Sequence, residues 1–106
     1  MGSARVMALD VTIDSVMVQD SEPAAAALDG DIVLLSLRAG AYFGLNHVGS
    51  EIWRMLAEPC RVGRIFEMLM QHHAVELETL SREVTPFLQK LVDERLVRVI
   101  EAGEAR

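Results

Sequence analysis

The side chains best able to do chemistry in this sequence are three histidines, one cysteine and several clustered carboxylates. His72 and His73 are neighbours, so on a helix their rings diverge by about 100° and cannot form the i, i+4 pair of a helical metal site. His47 lies far from them in sequence, and the pair reads instead as an exposed helix end, where imidazole suits the dipole. Cys60 precedes a helical stretch whose N-terminus would favour the thiolate. No Cys-His or Ser-His-Asp pattern surrounds it, and a cysteine at an N-cap or in a buried loop is the simpler account. Glu76, Glu78, Glu83, Asp93 and Glu94 fall at helical spacing and read as one solvated face rather than as an acid and a base. Gly40 and Gly44 sit on a hairpin, without the strand–loop–helix setting of a phosphate loop. The expectation is a chain that is not an enzyme and uses no metal or cofactor, so its function has to be sought in its surfaces.

Composition narrows the kind of surface. A length of 106 residues is enough for a single domain with one core, and 51% hydrophobic residues with only 5% aromatics make that core aliphatic. Net charge is −6, from ten basic against sixteen acidic residues, which argues against a duplex-binding face and against anionic membrane surfaces. A single cysteine excludes an internal disulfide and fits a reducing cytoplasm. Residues 1–9 lack the basic and long apolar segments of a signal peptide, and no run of about 18 apolar residues occurs. The chain is expected to be cytoplasmic, one domain over 1–106, with flexible ends at 1–10 and 101–106.

The pattern then divides into strands followed by helices. Val11, Ile13 and Val16 to Val18 suggest one short extended segment. Asp29-Gly30 is a two-residue hairpin signal, so residues 25–28 read as a strand despite the helix propensity of the alanine run. Residues 32–37 are nearly continuously apolar, as a central strand covered on both faces should be. After a turn at 38–40, residues 41–45 return as a third strand, with Gly44 marking a bulge or a close backbone approach. Asn46 is a good N-cap for a helix carrying Val48, Ile52, Met55 and Leu56 on one face. Glu58-Pro59 ends it, and two more helices follow over about 61–72 and 77–94. Pro86 lies inside the last one and predicts a kink near 82–86, or two segments meeting there. Residues 96–100 form a short final strand or tail.

One strand stands out. If residues 41–45 lie at the sheet edge, their backbone groups are free and an extended peptide can add there, with the third helix as the other wall of a groove. Cover by the N-terminal segment or by a dimer partner is the competing account. Alternation places Phe43 with Ala41 and Leu45 on the face that packs under the helices, and Tyr42 with Gly44 on the wetter one.

The stretches Leu28-Asp29-Gly30-Asp31-Ile32-Val33-Leu34-Leu35, Gly40-Ala41-Tyr42-Phe43-Gly44-Leu45-Asn46 and Val48-Gly49-Ser50-Glu51-Ile52-Trp53 resemble the PqqD family, and in particular the stand-alone members that serve lasso-peptide and related pathways. The similarity runs from about Ile13 to Val99, and the aromatic-Gly-Leu-Asn-x-Val-Gly-x-x-Ile-Trp stretch is its most specific part. The resemblance implies an α+β, winged-helix-like fold with a three-stranded antiparallel sheet followed by three helices. It also implies binding of the leader region of a ribosomally made precursor peptide, held for a separate leader peptidase or modifying enzyme. By that resemblance Ala41, Tyr42, Phe43, Gly44 and Leu45 carry one wall of the peptide site, and Val84, Leu88, Gln89, Leu91 and Val92 the other. Two positions depart from the pattern: Pro86 within the helical wall, and Arg95 where a helix-ending glycine is typical. The alternatives are a winged-helix nucleic-acid binder, which the acidity disfavours, and a homodimeric subunit whose strand edge pairs with itself.

Overall fold

The computed structural model describes residues 11–101. In chain order its elements are β1 (Val16–Gln19), β2 (Ala24–Leu28), β3 (Asp31–Ser36), β4 (Ala41–Gly44), α1 (His47–Met55), β5 (Cys60–Arg61), α2 (Val62–His73), α3 (Leu77–Asp93) and β6 (Val97–Glu101). Asp29 and Gly30 adopt φ of 54° and 89°, the two positive values that a type I′ turn demands. That turn folds β2 onto β3 in the register Ala24↔Leu35 to Leu28↔Asp31, and it holds the alanine run extended against its helix propensity. β4 pairs with the other side of β3, from Val33↔Gly44 to Ser36↔Ala41, giving an antiparallel sheet in the order β2-β3-β4.

The expectation that β3 is covered on both faces is corrected. Ile32, Leu34 and Ser36 are buried, whereas Val33 and Leu35 are only half-buried and every residue of β2 is exposed. The helices pack on one face of the sheet, so the continuous apolar run is half core and half open surface. Residue Leu37, expected within the strand, is a turn residue 79% exposed.

A second sheet, in the order β5-β1-β6, was not expected. The first and last strands pair antiparallel through Met17↔Val99, Val18↔Arg98 and Gln19↔Val97, and a two-residue strand between the helices pairs with the opposite edge of β1. Glu101, expected in a flexible tail, closes β6; the remainder of the ends expected to be flexible, 1–10 and 102–106, lies outside the described residues. Between the two sheets the helices complete an aliphatic core whose fully buried members include Met17, Leu34, Ile52, Leu69, Leu88 and Leu91.

The helix ends follow local rules. Asn46 caps α1, its side-chain oxygen accepting from the Gly49 amide at 2.7 Å. Helix α3 is continuous across Pro86 rather than split into two segments. The ring costs the Arg82 carbonyl its helical donor, but Arg82 and Pro86 are both exposed, so water can take the donor's place. At the far end the Leu96 amide donates to the Leu91 carbonyl at 2.9 Å and the Arg95 amide to Val92 at 3.0 Å, a Schellman closure. Arg95 occupies its left-handed position with φ 60°, where a Cβ is strained. Arg95→Gly is therefore expected to stabilise the fold by about 0.5–1 kcal/mol, after the added freedom of the unfolded chain is subtracted. A thermal melt should rise by about 2–5 °C.

Candidate peptide-binding site

Strand β4 has a neighbour on one side only: among the described residues it pairs with β3 and nothing else. The ladder's phase can be read from its end. The Leu45 amide donates to the Ile32 carbonyl at 2.8 Å, while the Ile32 amide donates to the Ser50 hydroxyl, which in turn donates to the Leu45 carbonyl. Antiparallel pairs alternate between bonded and non-bonded, so Phe43 and Ala41 also turn their backbone groups towards β3. The N–H and C=O of Tyr42 and Gly44 then point outward, two residues' worth of ladder without a strand partner among the described residues. Nothing within the described chain demands glycine at 44: a Cβ there would meet no atom within 4 Å, and the register shows no bulge.

Beside this edge runs an apolar groove of about 330 Å³ between β4 and the C-terminal half of α3. Tyr42, Phe43, Gly44 and Leu45 line one side, and Phe87, Lys90, Leu91 and Leu96 line the other. Phe43 is half-buried and packs against the core while Tyr42 is 74% exposed, the two faces that alternation requires. Ala41 lies half-buried at the head of the strand. Of the expected helical wall, Leu91 lines this groove and Val84 lines a second cavity nearer the start of α1. Leu88 is fully buried in the core, and Val92 is half-buried against it. Gln89 faces away from the groove, accepting from the Val11 amide at 2.9 Å and donating to Asp93 at 3.1 Å. The sequence did not assign Phe87 or Leu96 to this groove, and it placed Lys90 on the outer wall of the third helix without fixing which side faces the peptide. The i, i+3 spacing from Phe87 to Lys90 was legible, but Pro86 left the helix's rotation undecided.

The turn that presents β4 is anchored by a residue that sequence reasoning also missed. Glu22 receives the Leu37 and Arg38 amides at 2.7 and 3.0 Å and the Ser36 hydroxyl at 3.1 Å. The Arg38 amide contributes most, and these bonds hold the Glu22 carboxyl below its ordinary 4.5 despite some opposing desolvation. A depressed carboxylate contributes stability above its unfolded value and loses it as pH falls through the folded one. The difference in melting temperature between the wild type and Glu22→Gln is thus expected to be largest above about pH 4.5 and to shrink as the solution is acidified below it. Melts of both proteins across pH 3–7 check this: a difference that does not change with pH would mean that the ionised carboxylate is not what anchors the turn.

The chemistry-bearing side chains gather elsewhere. His73 Nε2 lies 2.8 Å from Glu51 Oε1, His72 Nδ1 contacts Glu51 Oε2, and the His47 ring meets His73 edge-on at 6.2 Å. Burial pushes the Glu51 carboxyl up, but the hydrogen bonds from His73 and His72 outweigh it and leave the group below its ordinary value. His72 and His73 do close the last turn of α2, as expected, and they also meet Glu51 of α1, far from them in sequence. No group of three or more His, Cys, Asp or Glu among the described residues is placed to hold a metal ion. For Cys60 the expected N-cap or buried-loop position is corrected to a strand. Cys60 pairs with Met17 in β5, Arg61 takes the N-cap position, and burial pushes the thiol up with only partial opposition from Arg64.

A free strand edge facing a helix across an apolar groove defines a module that can take up an extended chain by strand addition. The chain belongs to the PqqD family: the family model for coenzyme PQQ synthesis protein D (PqqD) matches residues 31–97, from the start of β3 to the start of β6. Among solved structures, that of TbiB1 in complex with the TbiA(beta) leader peptide is similar, with a TM-score of 0.69 and 32% identity over 84% of this chain and 99% of that one. No curated protein matches the sequence. Among the described residues no helix is long and apolar enough to cross a membrane.

Proposed function

We propose that this protein binds the leader of a ribosomally synthesised precursor peptide at the β4 edge and holds it, without catalysis of its own, for a separate leader peptidase or modifying enzyme of a lasso-peptide or related pathway. The observation that carries the reading is the free edge at Tyr42 and Gly44 lying beside a groove walled by Phe87, Lys90, Leu91 and Leu96. Membership of the PqqD family and likeness to a protein solved with a leader peptide support it. The mechanism is proximity: fixing one part of a flexible substrate raises the effective concentration of the rest at a partner's active site, in this reading within the cytoplasm. Main-chain bonds to the edge supply affinity that depends little on sequence, and the groove supplies the selection. The peptide-facing wall comprises residues 41–45 with Phe87, Lys90 and Leu91, while Leu88 acts through the core.

The test is a titration of the labelled protein with leader peptide, followed by backbone amide NMR. The Tyr42 and Gly44 amides should shift strongly, together with Phe87, Lys90 and Leu91. Shifts confined to α2 or to the second sheet would move the site elsewhere.

A further inference from the structure

A second cavity, about 300 Å³, lies at the other end of the same helix face, between the first turn of α1 and the N-terminal half of α3. Its apolar wall includes Val48, Ile52, Val75, Leu80 and Val84, and it shares one residue with the β4 groove: Phe87. The Phe87 ring lies against α1, since a Cβ on Gly49 would come within 3.2 Å of its Cζ. The two cavities therefore adjoin, with the Phe87 ring between them. On the α3 side their lining steps from Leu80 through Val84 and Phe87 to Leu91, one stripe at helical spacing. On the other side it runs from Tyr42 through Leu45 and Asn46 into α1. Eleven residues of helix at 1.5 Å each span about 16 Å, the length of about five residues of extended peptide.

The polar groups along this path differ from end to end. At the far cavity Asn46 is engaged in capping Gly49, and His73 holds Glu51 through its Nε2, so the open ionised group on that wall is the exposed Glu83 carboxylate. At the β4 end it is the exposed Lys90 ammonium. Neither makes an ion pair among the described residues.

We propose that the leader groove continues past Phe87 into this second cavity, and that Glu83 and Lys90 read a basic and an acidic residue of the bound leader in a fixed order. The proposal rests on the leader-binding reading and adds the chemistry of the ligand. Antiparallel addition, the stabler pairing, runs the peptide from the α1 end towards Ala41. Its N-terminal part then crosses the cavity beside Glu83, and its C-terminal part lies along β4 beside Lys90. Seven residues of helix separate the two charges by about 10 Å, which an extended peptide covers in about three residues. The ligand so defined carries a Lys or Arg about three positions before an Asp or Glu, with bulky apolar side chains next to them for the two cavities. A peptide with the charges reversed meets like charge at both ends.

The experiment selects dodecapeptides from a random display library on the full chain and, in parallel, on the double variant Glu83→Lys/Lys90→Glu. Both positions are exposed, so the variant should fold; a melt confirms it. The expected result is enrichment of the basic-then-acidic order on the wild type and of the reverse order on the variant. Reversing either charge alone should weaken a wild-type-selected peptide about three- to tenfold at low salt, with the difference narrowing as salt is added. Peptides that shift the Tyr42 and Gly44 amides but show the same charge order on both proteins would overturn the inference and leave the leader reading intact. Peptides that leave those amides unmoved, or no enrichment at all, would count against both.

Discussion

Tyr42→Pro is expected to weaken leader binding roughly ten- to a hundredfold and leave the fold standing, whereas Phe43→Pro, one position on, should unfold the sheet. The difference comes from which way each amide points. By the phase of the ladder the Tyr42 N–H faces the open edge, so a proline there removes no bond to β3. Its side chain is 74% exposed and little packing goes with it. A bound leader would lose one main-chain partner, have a carbonyl left unsatisfied and meet the ring of the proline; about 1.5–3 kcal/mol is a fair magnitude for that, about one to two decades in Kd. At position 43 the amide is turned to Leu34, and the phenyl ring packs on the core. Losing both costs at least about 3 kcal/mol, a large part of the roughly 5–15 kcal/mol that stabilises a domain of this size. Isothermal titration with leader peptide, alongside thermal melts, separates the two. Wild-type affinity in Tyr42→Pro would remove the β4 edge from the account.

How much of this could be read from the residues depended on how local the signals were. The Asp29-Gly30 turn, the Asn46 cap and the alternation of Tyr42 with Phe43 each act within a few residues, and each stands in the structure as the chain implies. The second sheet was not legible because its pairing joins Met17 to Val99 across the whole domain, and a two-residue strand at Cys60 has no period to detect. Glu22 gave no sign either: it acts through the amides of a turn fifteen residues away. The partner of the histidines was hidden for a similar reason, since Glu51 and His73 meet only once α1 and α2 pack. Residues 32–37 misled in another way. An apolar run cannot by itself say whether both of its faces are covered, and this chain has helices for only one. Family resemblance named residues 41–45 and the third helix as walls of a peptide site, but on the helix it could not say which side of a proline-bearing segment looks outward.

Three consecutive residues on α3 settle that rotation, because each should fail in a different way. Leu88 has no exposed surface and sits among the core side chains. Leu88→Ala removes buried methyl groups and leaves a cavity, at about 2–5 kcal/mol, so the melting temperature should fall by more than about 10 °C. Peptide affinity of the fraction that remains folded should be nearly unchanged. Gln89→Glu keeps an acceptor for the Val11 amide but loses the donor to Asp93 and sets like charges four residues apart. That costs a few tenths of a kcal/mol, with no effect on the leader. Lys90 is exposed beside Tyr42 and Phe43, so Lys90→Glu should leave the melt alone and weaken leader binding about three- to tenfold. Melts and affinities for the three variants form the check. A Gln89→Glu protein that loses more affinity than Lys90→Glu would mean the helix presents its other flank to the peptide, and both the groove and the charge order along it would have to be redrawn.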